Sequence, residues 1–350
     1  MSSIFETTTV SDIIPIEPTT ADIIIGILMI IVSLLCIIPN IIVINAIHSD
    51  KELKRLNAYR FMLYLAYIDI IQLFPHTITG FFNIYQTNFN PLLAKLLGAI
   101  ATPSYVAYAV LTLILSLNRL TQLCFPNIDE KIFSKRGMRI WLLIGIGFFV
   151  IFSIALVSPI GTIRYYPEYW SWDYDNDYIA SNIVQTVEMV IELGGIPISG
   201  MIYLIVFGVL IAKRKKYQVS KNYRAEMKIL IQAVVITGYC SILNVFWHFY
   251  DVLLPATNYA YTGLNFMWII NCAVNPIIYI IVNAAIRKNT KIRASRSGGR
   301  IIVVTQHPMH KTKSTPFEDP ATRCPTPLKS HKITQAPTNE CSNKKIVFLT

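Results

Sequence analysis

Seven long apolar runs constrain this chain more than anything else in it. A bilayer core of roughly 30 Å takes about 20 apolar residues as a helix. The sequence offers Ile23–Ile47, Phe61–Tyr85, Leu96–Leu117, Ile140–Ile163, Ile183–Ala212, Ile229–Tyr250 and Gly263–Ile286. The fifth run carries Glu188 and Glu192, and the second carries Asp69 and His76. Hydrophobic residues make up 53% of the 350 and charged residues 15%, and the mean hydropathy is +0.48. Such a chain has too little polar surface to cover a soluble globule. The expected fold is all-α: a polytopic membrane protein with a seven-transmembrane helix bundle over residues 23–286.

The net charge of +11 is placed for a membrane rather than for nucleic acid. Residues 1–50 contain no Lys or Arg, while 287–350 are densely basic. Lys and Arg near span ends mark the cytoplasmic side. The first connection has Lys51, Lys54, Arg55 and Arg60, the third has Arg119, Lys131, Lys135, Arg136 and Arg139, and the fifth has the basic run Lys213–Lys228. All fall on the side of the basic tail. The opposite side keeps Lys95 and Arg164 among Glu168, Asp173, Asp175, Asp177 and Asp251. Residues 1–22 are therefore expected to be extracellular and the C-terminus cytoplasmic, in keeping with an odd number of spans. The first span lacks a basic leader and has its basic flank behind it, the pattern of an uncleaved span. Residues 284–293, "AAIRKNTKIR", read as a short amphipathic eighth helix against anionic lipid of the inner leaflet. Residues 294–350, rich in Ser, Thr, Lys and Pro, read as a disordered cytoplasmic tail. Cys36, Cys124, Cys240, Cys272, Cys324 and Cys341 have no metal-ligand spacing and avoid the outside segments, so neither a metal centre nor a disulfide framework is expected.

Polar residues inside the spans need a reason, since a charge in mid-bilayer costs on the order of 2.5–3.5 kcal/mol on insertion scales. Asp69 lies near the middle of the second run, in "LAYIDII". Its functional reading is an ion or proton site, with Na+ as the candidate ion; its bland reading is a bundle-facing acid that only holds structure. Glu188 and Glu192 share one face of the fifth helix, above Pro197. They fit a ligand contact and an outer-mouth pair reaching water about equally. Asn271 and Asn275 share a face of the seventh, where Asn275-Pro276 frees a backbone carbonyl.

With these residues in place the chain resembles the rhodopsin-like G-protein-coupled receptor superfamily. Asn40 in "PNIIV" matches its first-helix asparagine, and "LAYID" matches its second-helix motif ending in Asp69. Asn118-Arg119 stands for its acid-arginine pair, "NPIIY" (Asn275–Tyr279) matches its seventh-helix motif, and Ile286-Arg287 follows at the spacing of its eighth helix. A narrower resemblance is to the nematode serpentine chemoreceptors, closest to class T (Srt-type). It is carried by "NAYRFMLYLAYID", "LTLILSLNRLTQLCFP", "IFSKRGMRIWLL" and the outside loop "YYPEYWSWDY". In that class an Asn-Arg pair commonly replaces the acidic one. The resemblance covers roughly Ala21 to Arg293.

Two departures stand out. Ala94 occupies the place of the third-helix cysteine, and Tyr165–Ser181 has no cysteine, so the superfamily's outside disulfide cannot form and the lid over a pocket is expected to be mobile. The sixth helix lacks a Cys-Trp-x-Pro motif, with Trp247-His248 nearby but out of register. In such receptors the arginine ties the inner ends of the third and sixth helices at rest. Asn118 offers no adjacent carboxylate, which leaves Glu226 as the candidate partner of Arg119. The bland reading of Arg119 is a cation snorkelling to headgroups.

The resemblance implies a receptor and not an enzyme. A retinal pump would need a lysine in the seventh run, which has none; a zinc hydrolase would need clustered ligands. A transporter would tend to show repeats. A ligand-gated channel subunit with seven spans is opposed by the charge-derived orientation. The expectation is a plasma-membrane G-protein-coupled receptor for a small environmental molecule, with a neuropeptide or other internal signal as alternative and the channel as second alternative. By depth, Tyr105, Glu192, His248, Asn265 and Trp268 would line the ligand site. Asn40, Asp69, Asn118, Arg119, Glu226, Asn271, Asn275, Pro276 and Tyr279 would form the activation switch. The expected partners are a small-molecule ligand, a heterotrimeric G protein, an arrestin-like protein on the phosphorylated tail and membrane lipids. No cofactor and no nucleic acid are expected.

Overall fold

The capping residues decide where the spans begin. Thr19 and Asp22 form a reciprocal capping box at the start of α1 (Thr20–Ser49), satisfying donors the first turn leaves open. After a short 3-10 turn at Leu53–Arg55, α2 runs Asn57–Tyr85 and ends at Gln86 in the left-handed region. Asn90 caps α3 (Pro91–Cys124), with proline at its first position, where a missing N–H costs nothing. A short α4 (Pro126–Ile132) follows, and Ser134 caps α5 (Lys135–Val157). A hairpin of β1 (Ile163–Tyr166) and β2 (Ser171–Tyr174) pairs antiparallel, with Ile163 opposite Tyr174. Then come α6 (Ile179–Tyr217), α7 (Tyr223–His248), α8 (Tyr250–Leu253), α9 (Asn258–Val282) and α10 (Ala284–Ser297). The computed structural model describes residues 17–217 and 223–297. The tail expected to be disordered lies, from residue 298 on, outside the described residues.

Seven of these helices, α1, α2, α3, α5, α6, α7 and α9, are long and apolar enough to cross a membrane. They correspond one for one to the seven apolar runs. Three expected bounds are corrected. The sixth run ends at His248 rather than Tyr250, because the chain leaves the helix at Phe249 and Tyr250 opens α8. The fourth run ends at Val157 rather than Ile163, because Pro159 holds Ser158 extended and the chain then turns into β1. The seventh ends at Val282, because Asn283 leaves the helix and caps α10 by accepting from the N–H of Ala285 and Ile286.

The central helix is α3. Its most apolar window is 78% buried by protein, against 28% for α1 and 22% for α5, which leave most of their surface to lipid. α3 packs against α2, α5, α6 and β1, while α1 packs against α2 and α9. Gly26 and Gly80 let α1 and α2 approach closely, since a Cβ on either would press on the other's carbonyl. At the other end Ile286 of α10 is buried among Val43, Ile47, Tyr59, Met62 and Tyr279, and Asn289 donates to Asp50 Oδ2 over 3.1 Å.

Candidate functional site

The hairpin is not a loose lid. Its β1 residues Ile163 and Tyr165 and its β2 residues Trp172 and Tyr174 are buried. The Trp170 indole N–H donates to Asp22 Oδ1 over 2.6 Å, so the residue that caps α1 also fastens the hairpin. Asn88 donates to the Tyr165 carbonyl and Asn258 to the Glu168 carbonyl. Gly98 of α3 meets the Ile163 backbone so closely that a Cβ there would collide with the carbonyl. Arg164 and Asp175 form an ion pair within the same segment. The described cysteines, Cys36, Cys124, Cys240 and Cys272, are all free. Against the expectation of a mobile lid stand polar contacts from the hairpin segment to α1, α6, α9 and the α2–α3 connection, and close packing on α3.

Beneath the hairpin lies a cavity of about 220 Å³ walled mainly by aromatic rings, among them Tyr166, Trp172, Tyr174, Trp247, Tyr250 and Tyr261. Asp173 and Asp251 also line it. Burial pushes the Asp173 carboxyl above the usual carboxylate range, and the charge of Asp251 pushes it the same way, against a backbone bond from Tyr174. A smaller void lies deeper, bounded by Tyr105, Glu188, Glu192, Asn244, Trp247 and Trp268. Trp247 borders both spaces. The His248 ring nitrogen Nε2 lies 3.0 Å from Glu192 Oε2, and Tyr174 donates from its hydroxyl to Glu188. Glu192 Oε1 is buried with no hydrogen-bond partner among the described residues.

The five expected ligand residues are therefore divided. Tyr105, Glu192 and Trp268 line the deeper void and His248 the outer cavity. Asn265 lines neither space and instead donates to the Trp170 carbonyl, Ser171 Oγ and the Tyr261 carbonyl, which ties the hairpin to α9.

A chain of contacts leads inward from the deeper void. Tyr105 donates to Asn244 Oδ1 over 2.7 Å, and its ring stacks on Tyr108 at 5.7 Å. The Tyr108 hydroxyl accepts from Asn275 Nδ2 at 2.6 Å and lies 3.7 Å from Cys240 Sγ, which donates to Asn271 Oδ1. Asn40 Nδ2 donates to the Cys272 carbonyl over 2.8 Å, joining α1 to α9. Trp268 donates to Gln72 Oε1 and stands edge-on to His76, its ring centre 4.7 Å away. Asp69 is fully buried, and neither of its carboxylate oxygens has a partner among the described residues; Asn40 Oδ1 is orphaned likewise.

At the end opposite the hairpin Arg119, Asn275 and Tyr279 line a further void of about 40 Å³ with Tyr203. Arg119 lies within α3, which continues past it to Cys124. Pro276 is buried inside α9. The Glu226 side chain lies outside the described residues, so Arg119 and Glu226 are not brought together here. The carboxylate that does meet the motif is Asp129 of α4. Its Oδ1 accepts from Asn118 Nδ2 at 3.0 Å and from Thr121 Oγ1 at 2.7 Å. Partial burial raises the Asp129 carboxyl above its usual range, and these two bonds pull it back.

Sequence reasoning sought a carboxylate beside Arg119 and missed Asp129, which follows Asn118 across a helix end. It also missed Trp170, Asp22, Asn244, Tyr108 and Gln72. "PNIDE" after "CF" was a signal for a short helix opening on proline with an acid in its first turn, and Asp129 was legible on that ground.

No curated protein matches the chain. Among solved structures, squid rhodopsin shares the fold with a TM-score of 0.63 over 83% of this chain and 88% of that one, at 17% identity. A family model described as "Serpentine type 7TM GPCR chemoreceptor Srt" matches residues 13–296. A seven-helix bundle that shares the rhodopsin fold, and a family match running from the N-terminal segment to the last described helix, lead to one conclusion: the chain belongs to the Srt family of serpentine seven-transmembrane G-protein-coupled chemoreceptors.

Proposed function

We propose that this multi-pass receptor sits in the plasma membrane with its N-terminus outside, and takes a small molecule in the aromatic cavity beneath the hairpin. The observation that carries this reading is the continuity of the path. The cavity shares Trp247 with the void around Glu192, Tyr105 and Trp268. From Tyr105 the contacts run through Tyr108 and Asn275 to the inner void that Arg119 lines. A ligand that prefers one arrangement of Trp247 and Trp268 would shift the population of bundle states by its differential affinity. Asn40, Asp69, Asn271, Asn275, Pro276 and Tyr279 would carry the change by exchanging buried hydrogen bonds. Asn118 and Arg119 would be released toward a heterotrimeric G protein, and Arg119 would find Glu226 as its resting partner. The tail would receive phosphates for an arrestin-like protein, and α10 would rest on inner-leaflet lipid. The orphaned oxygens of Asp69 and Asn40 suit a hard cation, and Na+ is the ion proposed there.

Agonist-stimulated nucleotide exchange on co-expressed G proteins tests the reading, across a panel of volatile and water-soluble compounds. A compound that stimulates the wild type and fails on Arg119→Ala makes the arginine part of the switch. Stimulation that survives the substitution reduces it to a membrane anchor. Replacing Na+ by K+ should alter the agonist response of the wild type but not of Asp69→Asn. An identical change in both would remove the ion from the proposal.

A further inference from the structure

Four carboxylates gather at the hairpin end of the bundle without a cation to meet them. Asp173 and Asp251 line the outer cavity, and Glu188 and Glu192 line the void beneath it. Among the described residues no Lys or Arg pairs with any of the four. Lys95 donates to the Ser158 carbonyl, and Arg164 is committed to Asp175. His248 alone approaches, and it engages one oxygen of Glu192. The other oxygen, Oε1, is left without a partner on a residue only 1% exposed. A buried carboxylate oxygen that has lost water and gained nothing is costly, and a donor or a positive charge relieves it. The walls around these acids are aromatic, and aromatic faces attract cations through their quadrupole.

We infer that the cavity takes an organic cation, an ammonium group on a small frame, with its charge directed past Trp247 toward Glu192 and Glu188. Trp247, Tyr250 and Tyr261 hold the body of the ligand, and Asp173 and Asp251 draw it in at the mouth. This rests on the reading of the chain as a chemoreceptor whose ligand enters here. A metal ion fits poorly: the described residues hold no group of three or more His, Cys, Asp or Glu placed to ligate one, and hard divalent cations want six or more oxygens. A peptide fits poorly too, because about 220 Å³ is below the range of pockets for drug-sized molecules.

Thermal unfolding of the purified full-length receptor in nanodiscs tests the inference, with phenyltrimethylammonium as probe. The controls are 2-phenyl-2-propanol, which keeps the ring without the charge, and potassium chloride at equal ionic strength, all on one constant sodium background. The expected result is a saturable rise in Tm with the cation and none with either control. Glu192→Gln should abolish the rise. Asp251→Asn, on an exposed residue where folding is not at stake, should raise the half-saturating concentration severalfold. A rise matched by the neutral compound, a rise that both variants retain, or no rise at saturating probe overturns the inference. Basal nucleotide exchange on G proteins in the same nanodiscs separates the two readings. Exchange without a cation effect rejects the ligand class and leaves the receptor standing. A cation effect without exchange on any G protein does the reverse.

Discussion

Asp129 reaches back to Asn118 and Thr121 from a helix separated from α3 by the single residue Phe125. Its position gives a motif without its usual acid a carboxylate from the following connection. The arginine is not clamped by a neighbour in sequence; the asparagine before it is clamped by a carboxylate from the following connection. Charge-assisted bonds of this kind contribute about 1.5–3 kcal/mol when partly buried. Removing them should favour the arrangement in which the inner end of α3 is free. Asp129→Ala is expected to raise agonist-independent nucleotide exchange severalfold, and Asp129→Asn, which keeps an acceptor oxygen, to raise it less. Unchanged basal exchange in both variants would make the contact a loop staple only.

Among the elements, the hairpin departs furthest from what apolar patterning conveys. The seven spans were legible because twenty apolar residues in a row have few other destinations. Their ends were less so, because a cap is a signal from one or two residues such as Thr19, Asn90 or Thr257. The fourth span overran in the reading because Ile160 and Ile163 continue its apolar character beyond Pro159, where the backbone has already turned. The hairpin reads in sequence as an aromatic loop; its burial depends on Trp170 finding Asp22, a partner 148 residues away. The same limit applies to the site. The acids and aromatic rings could be named, yet which of them share a cavity is set by how α6, α7 and the hairpin meet. Asp22→Ala should cost about 0.3–1.5 kcal/mol through the lost half of the capping box and a further 1–3 kcal/mol or so for the buried indole N–H left unpaired. Hydrogen exchange should then speed up over residues 163–174 while the centre of α3 stays protected. Equal protection in wild type and variant would show that the hairpin is held by its packing alone.

The whole molecule divides its charge by end. The connections at the end opposite the hairpin and α10 are basic, and the end that carries the hairpin is acidic. Cytoplasmic Lys and Arg set topology, so an epitope tag at the N-terminus should be reached by antibody on intact cells and one at the C-terminus only after permeabilisation. The reverse staining would return the channel reading to consideration. The hairpin has one more consequence at this scale. Receptors whose outer loop is tethered by a cystine depend on an oxidising folding compartment and lose that tether to a reductant. Here the tether is made of an indole, amides and a carboxylate, and the described cysteines are all free. Dithiothreitol should leave ligand response and Tm unchanged, and synthesis under reducing conditions into supplied bilayers should give a receptor as competent as one that has passed through the secretory pathway. What holds this lid is indifferent to redox potential and yields instead to heat.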